Sequence, residues 1–207
     1  MNCYDFDQTI FFPDSSYLFV MHCLRRYPKA VLRAMPGTVL MLLLHLLGRK
    51  DTRALKEQVF SFLPYLDDVD RIVDEFWEEN FEPGIAVWYL RQAREDDVIL
   101  SASPEFLLRP AAERLGVRLI ATRMDRHTGK IIGKNCHDYE KVTRFYQSYP
   151  QQHPEKFYSD SLSDSPLARI ADRAYMVKDR VTLAPWPDQK GGRPWRLDRI
   201  RVTGARI

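Results

Sequence analysis

Apolar and polar positions divide the chain into three regimes. Residues 2–6 form a short, apolar-biased run that reaches two carboxylates, Asp5 and Asp7, at its carboxyl end, and the cluster Pro13-Asp14-Ser15-Ser16 then stops it and offers helix N-caps. From Tyr17 to about Arg94 the apolar positions recur at helical spacing. Leu18, Met21 and Leu24 do so first, Leu55, Val59, Phe60 and Leu63 follow after a Pro36-Gly37 break, and Ile72, Val73, Phe76 and Trp77 continue the pattern. From Val98 onward, compact apolar runs alternate with helical stretches. Residues 98–102 read as a strand, Ser103 as the cap and Pro104 as the first turn of a helix that runs to Leu115 and ends at Gly116. Residues 117–121 read as a second strand, and 125–130, with Gly129, as a hairpin turn returning through Ile131 and Ile132. A helix over 139–149, a strand over 156–159, a helix over 166–171 and a last strand over 174–177 complete the series. Strands that alternate with helices predict an α/β fold, a parallel sheet covered on both faces.

With 207 residues, the chain has room for one such domain and an insertion. The pattern divides it into a discontinuous Rossmann-like core (1–13 and 95–185), a helical segment (14–94) inserted after the first strand, and an irregular tail (186–207). Apolar residues make up 45% and charged residues 29%, which disfavours disorder in the body. The 31 basic and 28 acidic residues are too balanced for a nucleic-acid footprint, so no nucleic acid is expected. Only the tail is locally basic, and that composition reads as a solvated end. Cys3, Cys23 and Cys136 match no disulfide framework and no secretory signal precedes the first run, which predicts a reducing cytoplasm. The most apolar stretch, 39–47, is far shorter than the roughly 20 residues that span a bilayer. It is expected to be a buried helix, with an interfacial membrane helix as the less favoured reading. Oligomeric state is left open.

Ligands of open parallel sheets sit beyond the carboxyl ends of the strands, so residues that follow different strands can converge. Four such exits carry reactive groups: Asp5-Phe6-Asp7-Gln8-Thr9, Ser101-Ala102-Ser103, the helix start at Lys141, and Asp160-Ser161-Leu162-Ser163-Asp164. Carboxylates joined by one lysine and one hydroxyl suit phosphoryl transfer from a monoester, which needs a nucleophile, charge neutralisation and a proton donor. Asp5 is the candidate nucleophile, and Asp7 the candidate acid towards the leaving oxygen and base towards water. A dianionic phosphate facing carboxylates requires cations. Mg²⁺ is one, assigned to Asp5, the Asp7 carbonyl and Asp160, with Asp164 behind it; Lys141 is the other. The Ser101 hydroxyl is assigned a hydrogen bond to phosphate.

These four segments, in this order, resemble the motifs of the haloacid dehalogenase superfamily: Asp5-x-Asp7-x-Thr9, Ser101 after an apolar strand, Lys141, and Asp160 with Asp164. Gly133-Lys134-Asn135-Cys136 before Lys141, the run from Asp160 to Leu167, and a helical insertion between the first two motifs are similar to the phosphoserine-phosphatase-like branch. The resemblance implies a Rossmann-like core with a helical type 1 cap, and a Mg²⁺-dependent phosphomonoesterase acting through phospho-aspartate on a small phosphorylated substrate such as phosphoserine. It also implies weak substrate contacts from Asp14, Lys134 and Asn135. Gln8 stands where glycine is frequent, and Ser159 replaces a glycine before Asp160. A phosphotransferase with the same chemistry, and a non-catalytic module that binds a phospho-ligand or a protein, are the alternatives. Asp14 reads equally as a helix cap and Ser103 as a cap; a zinc site at Cys136-His137 lacks a second ligand pair.

Overall fold

The fold is known from a computed structural model, which describes residues 1–47, 52–178 and 182–187. Its sheet contains β1 (Asn2–Tyr4), β2 (Val98–Pro104), β3 (Arg118–Thr122), β4 (Lys156–Ser159), β5 (Arg173–Lys178) and β6 (Thr182–Pro185), in the order β3-β2-β1-β4-β5-β6. The first five are mutually parallel, and β6 is added antiparallel to β5. The helices are α1 (Ser15–Arg26), α2 (Pro28–Leu46), α3 (Thr52–Val59), α4 (Val69–Gly84), α5 (Val87–Leu90), α6 (Glu105–Leu115), α7 (Tyr139–Ser148) and α8 (Ser165–Ile170). This is the mixed α/β, Rossmann-like arrangement that the alternating pattern predicts.

Strand periodicity assigns the two faces. Tyr4, Ile99 and Tyr158 join one buried cluster, while Cys3, Val98, Leu100 and Phe157 join the other with Val142 and Phe145 of α7 and Leu167 and Ala168 of α8. The first cluster continues from the sheet into the helical insertion without interruption. Phe6 and Phe11 meet Trp77 of α4 edge-on, at 5.9 and 5.0 Å between ring centroids. The Trp77 indole N–H donates to Leu107 of α6 at 2.6 Å. Each such ring contributes on the order of 1.5–3 kcal/mol through burial, so α4 is fastened to the core by packing.

Several boundaries differ from the sequence expectations. β1 ends at Tyr4 rather than Phe6, although the Asp5 N–H still pairs with the Tyr158 carbonyl at 2.8 Å. β2 runs on to Pro104, which itself occupies the N-cap position of α6; Ser103 is not the cap. The Pro36-Gly37 pair does not break the helix, and α2 passes through it. Proline there removes one main-chain donor, a cost that packing against α1 and α3 offsets. The 39–47 stretch is the larger correction. Val39, Leu40, Leu43, Leu46 and Leu47 are each more than half exposed, so it is not a buried helix. Apolarity alone gives no side, and nothing among the described residues covers this one. Trp186, where the tail begins, is fully buried against Phe157, next to the unexpected edge strand β6, in keeping with a segment packed on the body. Positions 188–207 lie outside the described residues. Cys3, Cys23 and Cys136 are buried and unpaired.

The hairpin turn expected at 125–130 is present. Gly129, at φ +70°, donates its N–H to Asp125 at 2.8 Å, and a Cβ there would stand 2.4 Å from the Phe60 carbonyl of the insertion. Both the left-handed backbone and the close approach require glycine. Gly129→Ala is expected to destabilise the fold by roughly 2–4 kcal/mol, measured by urea unfolding; an unchanged midpoint would mean that the insertion does not press on this turn.

Candidate active site

Asp5 is the first residue past the central strand, between β2 and β4. The chain lays β2 and β3 to one side of β1 and then crosses to lay β4 on the other. Strand order therefore reverses beside Asp5, the place where open α/β sheets receive ligands. The chain next turns tightly, with the N–H groups of Thr9, Ile10 and Phe11 all directed at the Phe6 carbonyl (3.0–3.3 Å) and Gln8 at φ +57°. That left-handed position explains why glycine suits the motif here; Gln8 occupies it with its side chain exposed. The turn carries Asp7 back towards the sheet's carboxyl edge.

Lys141 enters from the first turn of α7. It is 2% exposed, and its ammonium lies 2.7 Å from Asp5 Oδ1 and 2.7 Å from Asp164 Oδ2. Ser159 donates its hydroxyl to the same Asp164 oxygen at 2.7 Å. Burial opposes the charges of Asp5 and Lys141. It raises the Asp5 carboxyl above the usual carboxylate range despite the neighbouring ammonium. In Lys141 burial is outweighed by Asp5 and Asp164, which hold the ammonium above an ordinary lysine. Asp164 occupies the N-cap position of α8, but its carboxylate makes no cap bond and is committed to the triad.

Asp7 is held from both sides. Its Oδ1 accepts the Ser15 N–H at 2.6 Å, at the start of α1, and its Oδ2 accepts the Ser103 hydroxyl at 2.5 Å. Ser16 Oγ in turn lies 3.0 Å from Ser103 Oγ. Burial first, and the Asp14 charge second, push Asp7 up to about 6, against the bonds from Ser103 and Ser15. A carboxyl poised there can give and take a proton near neutrality. Ser101 is buried, and its oxygen accepts the Ser103 N–H at 3.0 Å, which leaves the hydroxyl proton to be donated. Thr9 Oγ1 accepts the Asp160 N–H at 3.0 Å and thereby ties the loop after β1 to the loop after β4. Asp14 caps α1 by accepting the Tyr17 N–H at 2.8 Å.

Asp5, Asp7, Thr9, Ser101, Lys141, Asp160 and Asp164 thus gather at one edge of the sheet. Lys134 does not join them: its side chain is 82% exposed and pairs with Glu140 at 3.9 Å, and its carbonyl accepts from Arg144. Asn135 faces inward, its Oδ1 accepting from Thr122 at 2.8 Å and from Lys56 at 3.3 Å. Lys56 of α3 and Ser103 are residues that sequence reasoning missed. Lys56 donates to the Ala102 carbonyl at 2.6 Å, one residue past Ser101, and burial lowers its pKa although Asp7 and Asp14 oppose that. No motif marks it, since its place depends on how the insertion packs on the sheet. Ser103 had a signal in its spacing from Ser101, which sets two hydroxyls on one face of an extended chain.

Two carboxylates, Asp5 and Asp160, and the Asp7 carbonyl could supply an all-oxygen donor set, which would suit a hard divalent cation that keeps several waters. The second oxygen of Asp164 is buried without a hydrogen-bond partner, as expected beside a site completed by further ligands or water. Among the described residues no three His, Cys, Asp or Glu side chains form a cage by themselves. An oxygen-only set of this kind fits a hard divalent cation better than zinc.

An acid pair on one strand exit, a buried lysine bridging two carboxylates and a hydroxyl on the adjoining strand lie together at this edge. A model of the haloacid dehalogenase-like hydrolase family matches residues 3–169, and the chain belongs to that family. Protein CicA of Caulobacter vibrioides is 28% identical over 181 residues, 82% of each chain. A histidinol-phosphatase of Neisseria meningitidis is 27% identical over 139 residues, 56% of this chain and 61% of the other. The fold is shared with a Bordetella pertussis protein of unknown function (TM-score 0.70, 23% identity, 84% and 87% coverage). It is shared also with a phosphoserine phosphohydrolase-like protein of Francisella tularensis (TM-score 0.54, 13% identity, 84% and 86% coverage).

Proposed function

We propose that the protein is a Mg²⁺-dependent phosphomonoester phosphatase that passes through a phospho-aspartate on Asp5. The observation that carries this reading is the buried Asp5–Lys141–Asp164 triad at the strand-order reversal. Lys141 occupies one Asp5 oxygen and leaves the other to attack phosphorus, while its charge lies beside the incoming phosphate. Ser101 donates to a phosphate oxygen. Asp7 delivers its proton to the leaving alcohol, then takes one from the water that opens the acyl phosphate, and its hold by Ser15 and Ser103 fixes which way the carboxyl faces. Asp5, Asp160 and the Asp7 carbonyl would hold Mg²⁺, which when bound neutralises phosphate charge.

The helical insertion acts as a cap over this edge. A small amino-alcohol phosphate suits it, because Asp14 can meet an ammonium and Lys56 a carboxylate. Phosphoserine has both groups, and the substrate in the name of the Neisseria relative carries an amine. Phosphate release from phosphoserine, histidinol phosphate and a panel of other monoesters, with Mg²⁺ and then EDTA, tests the reading. Chelation is expected to remove activity and Mg²⁺ to restore it; turnover unaffected by EDTA contradicts the metal assignment. Phosphate transfer to added alcohols in place of release marks a phosphotransferase.

The hold on Asp7 predicts a pH effect. Ser103 hydrogen-bonds the charged form and so lowers its pKa. Ser103→Ala is expected to raise it, moving the alkaline limb of kcat/KM upward by roughly 0.5–1 pH unit, because only protonated Asp7 serves the leaving group. A limb that stays in place removes Asp7 from that role.

A further inference from the structure

The sequence from Ser15 to Lys50 contains no acidic residue, yet it carries Arg25, Arg26, Lys29, Arg33, Arg49 and Lys50. α2 is the centre of that stretch. Its exposed side chains include Leu32 (54%), Met35 (41%), Val39 (51%), Leu40 (59%), Leu43 (54%) and Leu46 (73%), and Leu47 (68%) follows directly. Positions 32, 35, 39, 43 and 46 fall at helical spacing and make one apolar stripe, and Leu40 widens it. Lys29 and Arg33 stand exposed at the amino end of the same helix. Arg26 is neutralised by Glu75 and Glu79 of α4 and takes no part, and Arg33 lies over the Tyr65 ring with its charge still outward. Among the described residues no helix is long and apolar enough to cross a membrane.

We propose that this face of α2 docks on the surface of an anionic lipid bilayer, with its leucines in the headgroup boundary and its cations on lipid phosphates. The charge pattern selects this occupant. A continuous apolar stripe inside an acid-free, basic segment is matched by a surface that is apolar within and negative outside. A second copy pairing through the same face in parallel would set Lys29 and Arg33 of one chain against those of the other, and an antiparallel pairing would bring them no acidic partner, since residues 15–50 contain none. Glu75 and Glu79 of α4 are engaged by Arg26 of α1.

Sedimentation with vesicles of mixed phosphatidylglycerol and phosphatidylcholine, beside vesicles of phosphatidylcholine alone, tests this in the full chain. The expected result is binding to the anionic vesicles at low salt, weakened by high salt. Leu40→Glu combined with Leu43→Glu should reduce it ten-fold or more while circular dichroism and the thermal midpoint stay those of wild type, because both side chains are already exposed. Lys29→Glu with Arg33→Glu should weaken anionic binding alone. Wild-type protein that stays in the supernatant with anionic vesicles at low salt overturns the proposal. So does vesicle binding unchanged in the leucine variant, or self-association that the same variant abolishes without any vesicle binding.

Discussion

Asp5→Asn is expected to lower phosphatase kcat by on the order of 10⁴-fold or more, because it removes the attacking oxygen while keeping the shape of the side chain. The amide cannot form the acyl phosphate, and it presents a neutral group to the Lys141 ammonium. Folding should survive. Burial already raises the Asp5 carboxyl above its usual range, which means that holding the charge there costs stability, and the amide carries no such charge. A steady-state assay beside a thermal melt separates the two effects: loss of turnover with an unchanged or higher melting midpoint is the expected pair. Turnover retained within ten-fold of wild type would require another nucleophile.

Lys141→Ala should do the opposite to stability. The ammonium is 2% exposed and bridges two carboxylates at 2.7 Å each. Its removal leaves Asp5 and Asp164 buried without their counter-ion, a loss of roughly 3–5 kcal/mol, together with turnover. The pH dependence gives the sign. Without Lys141 the Asp5 carboxyl, already raised by burial, loses the ammonium that lowers it, so the folded state binds more protons than the unfolded one. The variant should gain stability relative to wild type as the pH falls from 7 towards 5, and lose it as the pH rises. Urea unfolding at several pH values measures this. A variant equally stable at pH 5 and 7 would mean that the triad is not the charged cluster described.

How much of this was legible in the sequence follows from the range over which each feature is encoded. Asp5, Asp7, Ser101, Lys141, Asp160 and Asp164 each follow a strand or open a helix that local periodicity marks, and parallel topology then forces those ends together. Lys56 carries no local signature, since its partners Ala102 and Asn135 lie 46 and 79 residues away, and the spacing of Ser103 from Ser101 does not name Asp7, 96 residues away, as its partner. Lys134 was misplaced for the converse reason. It neighbours the motif lysine in sequence, but the turn at Gly133 (φ +80°) leads into a side chain that faces solvent. The 39–47 stretch shows that hydrophobic content predicts a helix here but not what lies against it. β6 escaped notice because its four residues end in proline, which suits an edge strand and weakens any pattern.

The central claim is a covalent phosphoryl group on Asp5. Acid quench of the Mg²⁺-loaded enzyme during turnover of a cleaved monoester, followed by peptide mass mapping, reads it directly. A phosphoryl group on the peptide containing Asp5, absent from Asp5→Asn, is the predicted result. Rapid phosphate release with no protein-bound phosphoryl group at any quench time, even in a variant slowed at Asp7, would contradict it.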